Sequence, residues 1–86
     1  MAYEVEIEPE KGKFYLVTAD LRKDGVYTSY PRTQHEAAFI EIEKDPEFVV
    51  VNCIDIDTDE PHKLSADELT LARQCLTNIY WDRLLD

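Results

Sequence analysis

Four carboxylates crowd together at Asp55, Asp57, Asp59 and Glu60, and three more alternate at Glu4, Glu6 and Glu8. Grouped carboxylates support two kinds of chemistry. They hold divalent cations, or they meet a cationic partner. The run Asp55-Ile56-Asp57-Thr58-Asp59 opens like a calcium loop, which needs Gly at its sixth position and Glu at its twelfth. Glu60 and Ala66 stand there instead. A solvated acidic loop is expected, with no metal and no cofactor. His35 and His62 lie far apart, and neither has ligand spacing to a cysteine or to the other. Phosphate loops, zinc spacings, nucleophile elbows and dinucleotide fingerprints are absent. No catalytic residue is assigned, and an enzyme is not expected.

Charge points toward binding. Nineteen acidic residues stand against nine basic ones in 86, for a formal net charge of -10. Such a surface repels nucleic acid and anionic lipid and steers basic proteins toward itself. Direct nucleic-acid binding and membrane association are therefore not expected. No apolar run approaches the ~20 residues of a membrane span, and no basic-then-apolar leader opens the chain. A cytoplasmic location is expected. Cys53 and Cys75 sit within apolar patterns and read as buried free thiols.

The elements that must position these groups follow from periodicity. Eighty-six residues suit one domain. Tyr3, Val5 and Ile7 alternate with Glu4, Glu6 and Glu8, which predicts a first strand with one apolar and one carboxylate face. A turn follows at Glu8 to Gly12, then a second strand over 14–21. Asp24-Gly25 predicts a tight hairpin, with a third strand over 26–30 antiparallel to the second. Thr33 and Glu36 fit a capping box, so a helix is expected over about 34–44, stopped by Asp45-Pro46. Phe48 to Ile56 predicts a fourth strand. Its unbroken Phe48-Val49-Val50-Val51 suggests cover on both faces, near the sheet centre. Ser65 and Glu68 form a second capping box ahead of a final helix to about Leu84. The expected fold is a single small α+β domain of order β-β-β-α-β-α. It combines an antiparallel three-strand meander with one parallel strand, and packs its helices on the sheet.

That order resembles the first half of a ribonuclease H-like fold. In that family, carboxylates on strand one, helix one and the end of strand four hold metal. Glu4 or Glu6, Glu36 or Glu41, and Asp55 or Asp57 would fall on those elements. A nearer resemblance is to HicB-type antitoxins, which use a partial ribonuclease H-like fold without nuclease activity. It covers Tyr3 to about Ile42. It runs through Tyr3-Glu4-Val5-Glu6-Ile7-Glu8, Gly12, Phe14 to Leu21, Tyr27-Thr28-Ser29-Tyr30 and Thr33-Gln34-His35-Glu36-Ala37. Where the family often has Pro-Asp-Leu-Pro-Gly, this chain has Ala19-Asp20-Leu21-Arg22-Lys23. The resemblance implies a protein-binding role such as neutralising a basic toxin.

On the last helix, Leu69, Ala72, Leu76, Ile79, Tyr80 and Leu84 form one stripe expected to face the sheet. Leu71, Trp81 and Leu85 fall on the opposite side. They either cover a loop near a fraying end or serve as anchors for a partner. The expected function is that of a small acidic inhibitor, antitoxin-like or anti-defence-like. It would cover a basic, nucleic-acid-binding surface of a partner protein, in the narrower version as a nucleic-acid mimic. Its partner-binding residues would be Glu4, Glu6, Glu8, Asp55, Asp57, Asp59, Glu60, Leu71, Trp81 and Leu85. The alternative is a homodimeric accessory module whose charge serves solubility. A metal-dependent nuclease is a distant third.

Overall fold

The computed structural model describes residues 2–85. Five strands precede one helix: β1 (Ala2–Glu10), β2 (Lys13–Lys23), β3 (Val26–Tyr30), β4 (Phe39–Lys44), β5 (Glu47–Asp55) and α1 (Ala66–Leu85). The class is α+β, as expected, but the order is β-β-β-β-β-α. Every strand pair is antiparallel.

One three-stranded sheet runs β1-β2-β5, and a two-stranded sheet pairs β3 with β4. The two sheets share a long hairpin. Leu21 faces Phe48 and Lys23 faces Glu47 in the first, and Val26 faces Lys44 and Tyr27 faces Ile42 in the second. The pairing is interrupted where Asp24-Gly25 meets Asp45-Pro46. Pro46 has no N–H to contribute there. Beyond this break the β3–β4 ribbon extends as an arm, and the molecule measures 56 × 26 × 21 Å.

Three expectations are corrected. The helix over 34–44 does not form; Phe39–Lys44 is a strand instead. The Glu36 amide does donate to Thr33 Oγ1 at 3.1 Å, but this bond shapes the turn at the arm's tip. Ile40-Glu41-Ile42-Glu43 alternates with the same period as β1, and the β-branched Ile40 and Ile42 favour strand. Second, β3 pairs with β4 and not with β2, because the chain passes straight through Asp24-Gly25. Third, β5 is neither parallel nor central. It is an edge strand paired antiparallel with β2, and a register shift opposite Thr18 and Ala19 leaves Val51 as the extra residue of a bulge. The bulge, not two-sided cover, is why the valine run does not alternate. Val51 is 54% exposed.

The core lies between α1 and one face of the three-stranded sheet. Tyr3, Val5 and Ile7 from β1 join Tyr15, Val17 and Ala19 from β2, with Phe48 and Cys53 from β5. Ala72, Leu76, Tyr80 and Trp81 close it from the helix. Ala19 and Ala72 are wholly buried and small, which lets α1 approach closely. Leu84, expected in the buried stripe, is exposed.

The start of α1 follows its sequence signal. The Ser65 amide donates to Glu68 Oε1 at 2.8 Å, and the Glu68 amide donates to Ser65 Oγ at 3.3 Å. This is the reciprocal capping box. The bond from the Ser65 amide lowers the Glu68 carboxyl pKa, and burial opposes it. A lowered carboxyl contributes stability that is present above its unfolded value and lost as pH falls through its folded value. Glu68→Ala, which removes the carboxylate that accepts from the Ser65 amide, is therefore expected to cost about 1 kcal/mol at neutral pH. Urea unfolding should show that difference shrinking below pH 4.5, the ordinary value for this group. An equal cost at all pH values would detach the cap from the carboxylate.

Candidate functional site

Among the described residues no further strand or helix packs on the face of the three-stranded sheet opposite α1. Strand alternation places Glu4, Glu6 and Glu8 on it, all exposed. Alternate residues of a strand stand ~6.6–6.8 Å apart, which spaces Glu4 from Glu6, and Glu8 ends the row where the register shifts between Ile7 and Glu10. Cross-strand register extends that row across the sheet. Glu4 lies beside Thr18 and then Asn52, while Glu6 lies beside Leu16 and then Ile54. Leu16, Thr18 and Ile54 are half-buried by their neighbours. The open face is thus a carboxylate row along one edge with a partly apolar floor next to it.

The second acidic group gathers at one end of the same sheet. Ile7, Tyr15 and Asp55 share a transverse row, so the turn after β5 lies at the Glu8 end. Two strand spacings, roughly 10 Å, separate β1 from β5. Asp57, Asp59 and Glu60 are exposed there. Asp55 has a local task. Its Oδ1 accepts from the amides of Asp57 at 2.9 Å and Thr58 at 3.4 Å. The Asp55 carbonyl accepts from the Asp59 amide at 2.7 Å, and Asp59 adopts φ 59°. The calcium-like spacing is therefore used to tie a turn. Among the described residues no three His, Cys, Asp or Glu side chains gather as a metal site. Glu36 and Glu41 lie on the arm, beyond the end of the sheet opposite Asp55.

Next to that turn, His62 stacks on Tyr15 with ring centroids 4.1 Å apart, and its Nε2 lies 3.2 Å from Glu68 Oε1. The His62 amide donates to the Cys53 carbonyl at 2.9 Å. Cys, His and Glu thus meet in one corner. Burial, with Glu68 and Asp55 nearby, raises the Cys53 thiol pKa, which holds it in the protonated form. A thiol so placed is not activated as a nucleophile. The corner instead staples the loop to the edge of β5.

Trp81 was expected to point away from the core and does not. It is 7% exposed. Its Nε1 donates to Asp45 Oδ1 at 3.3 Å, and its ring meets Tyr80 and Tyr27 edge-on at 5.0 and 5.9 Å. The neighbouring Tyr80 hydroxyl accepts from the Gly25 amide at 3.0 Å and donates to Asp24 Oδ1 at 3.3 Å. The kink in the long hairpin wraps the end of α1 and supplies a second wall, so two helix faces are buried. Leu71 is half-buried against the core, and only Leu85 of the three expected anchors is exposed.

Much of the exposed apolar surface lies on the arm. Val26, Tyr27, Tyr30, Phe39, Ile40 and Ile42 are each at least 38% exposed. Tyr30 and Phe39 stack with centroids 4.5 Å apart, and the Tyr30 hydroxyl donates to Glu41 Oε2 at 3.2 Å. That bond, which needs the phenol proton, raises the Tyr30 pKa. Charge divides along the same line. Residues 26–44 carry Arg32 and Lys44 against Glu36, Glu41 and Glu43, a net -1, which leaves -9 for the rest. Among the described residues no helix is long and apolar enough to cross a membrane.

No protein family, no curated protein and no solved structure matches the chain.

Proposed function

We propose that this protein is a small acidic inhibitor, antitoxin-like or anti-defence-like, that covers a basic, nucleic-acid-binding surface of a partner protein without catalysis of its own. The observation that carries this reading is the uncovered sheet face with its row of Glu4, Glu6 and Glu8. An anionic row accelerates encounter with a cationic surface, and the neighbouring Leu16 and Ile54 provide apolar contact after docking. Asp57, Asp59 and Glu60 extend the negative field around one end of the sheet. A chain bearing this field opposes nucleic acid directly, so the partner is a protein. The cytoplasm is the proposed compartment. In the narrower form, the carboxylates stand in for phosphates.

The test is affinity capture from host lysate at ~50 and ~500 mM salt, between which the Debye length falls from roughly 13 to 4 Å. One dominant basic protein should be retained at low salt and released at high salt. Added inhibitor should then displace nucleic acid from that protein. Capture indifferent to salt, or a partner that keeps its nucleic acid, would reject the proposal. A second reading, a homodimeric accessory module, is favoured by the apolar arm alone.

A further inference from the structure

We propose that the outer edge of β3 is a self-pairing surface, through which two copies join their arms into one four-stranded sheet. This goes beyond the inhibitory reading and does not depend on it. β2 has β1 on its outer side, but β1 pairs no further along than Asp20. β3, which continues β2, has β4 on one side and no strand on the other among the described residues. Its sequence, Val26-Tyr27-Thr28-Ser29-Tyr30, holds no charge, no lysine and no proline. Edge strands are ordinarily blocked by such residues, because their free N–H and C=O groups template another strand. Here the blocking residues lie on β4, which carries Glu41, Glu43 and Lys44. A two-stranded ribbon alone is marginally stable in water, and four strands would overcome that.

The occupant is a second copy for two reasons. The strand is self-complementary. A two-fold axis at Thr28 would set Val26 against Tyr30 of the partner subunit and Tyr27 against Ser29 of the partner subunit. It would also set the two Thr28 residues side by side. Aromatic–β-branched and Thr–Thr pairs of this kind are favourable. Charge also selects the arm. Contact between two bodies of -9 each is opposed by repulsion, whereas the arms carry -1 each and hold the bodies apart. A basic target would gain nothing electrostatic from an uncharged strand.

Sedimentation velocity over a wide concentration range decides the matter. The wild-type chain should reach twice the monomer mass, and dimerisation should strengthen as salt rises, because screening weakens repulsion between bodies. Binding to a basic target would weaken under the same change, so the two proposals fail separately. Thr28→Lys places two ammonium groups together at the axis and should weaken the dimer at least ten-fold. Its far-ultraviolet spectrum should keep the α1 signal. Gln34→Lys makes the same charge change at the arm's tip and should leave the dimer intact. If Thr28→Lys does not fold, Ser29→Lys serves in its place. A wild-type chain that stays monomeric throughout, or a dimer indifferent to lysine on β3, would overturn the proposal.

Discussion

Trp81→Ala is expected to lower stability by about 3–5 kcal/mol, the usual cost of deleting a buried aromatic ring. Small domains have only ~5–15 kcal/mol in total, so the variant should lie near its unfolding threshold. For a chain this size the melting temperature should drop by roughly 12 °C or more. The loss is not confined to apolar contact. Trp81 joins both strands of the long hairpin at its kink, through the ring of Tyr27 on one and the carboxylate of Asp45 on the other. The arm should therefore loosen before the body does. Hydrogen exchange should show faster amides over 26–30 and 39–44 than in β1 and β2. Gly25→Ala tests the same joint from the other side. A Cβ on Gly25 would lie 2.5 Å from Trp81 Cζ2 and 3.1 Å from the Lys44 carbonyl oxygen. Overpacking of this kind costs about 1–3 kcal/mol. In the Trp81→Ala background most of that cost should disappear, since the ring being struck is gone. A Trp81→Ala protein that melts within ~4 °C of wild type, a shift worth no more than 1 kcal/mol, would place the indole outside the core.

The same joint explains where the sequence could be read and where it could not. Period-two alternation identified β1 and its carboxylate face, because one strand side meets α1 and the other meets water. The Ser65 capping box identified the start of α1, because its bonds are local. Both signals concern residues within four positions of one another. The failures all concern distant pairing. Asp24-Gly25 carries the composition of a tight turn, yet Gly25 is small so that Trp81, more than fifty positions away, can lie against it. Thr33 and Glu36 form half of a capping box without a helix behind it. The nearby run Ile40-Glu41-Ile42-Glu43 repeats the alternation of β1, and that period was the available sign of β4. A helix resting on a flat sheet buries one stripe, which puts Trp81 off the core-facing side and leaves loop cover and partner contact both open. A kinked hairpin that wraps the helix end buries two. Once β4 replaces the expected helix, the exposed aromatic residues move from α1 to the arm. Of the carboxylates, the β1 row keeps its expected placement on an uncovered face. Asp55 leaves that set in part, since its oxygens are committed to the turn it begins.

Reversing Glu4, Glu6 and Glu8 to Lys is expected to slow association with a basic partner at least ten-fold at low salt, toward the lower end of what steering supplies. Dissociation should change less, because it is governed by contacts made after docking. The substitutions are on the exposed face of β1, so unfolding should move little. Net charge changes from -10 to -4, which on its own would weaken steering. A matched control removes that ambiguity. Glu36, Glu47 and Asp82 are exposed and belong to neither acidic group. Reversing those three gives the same net charge with the β1 row intact. If the row is the docking surface, the control should retain most of the wild-type association rate, and only the β1 variant should lose its salt dependence. Equal slowing in both variants would mean that total charge, rather than the sheet face, guides the encounter. Because a strand fixes its alternate side chains on one side of the sheet, these carboxylates contribute to one summed field. Each single reversal should therefore slow association by a smaller factor, and the factors should multiply toward the loss seen in the triple variant.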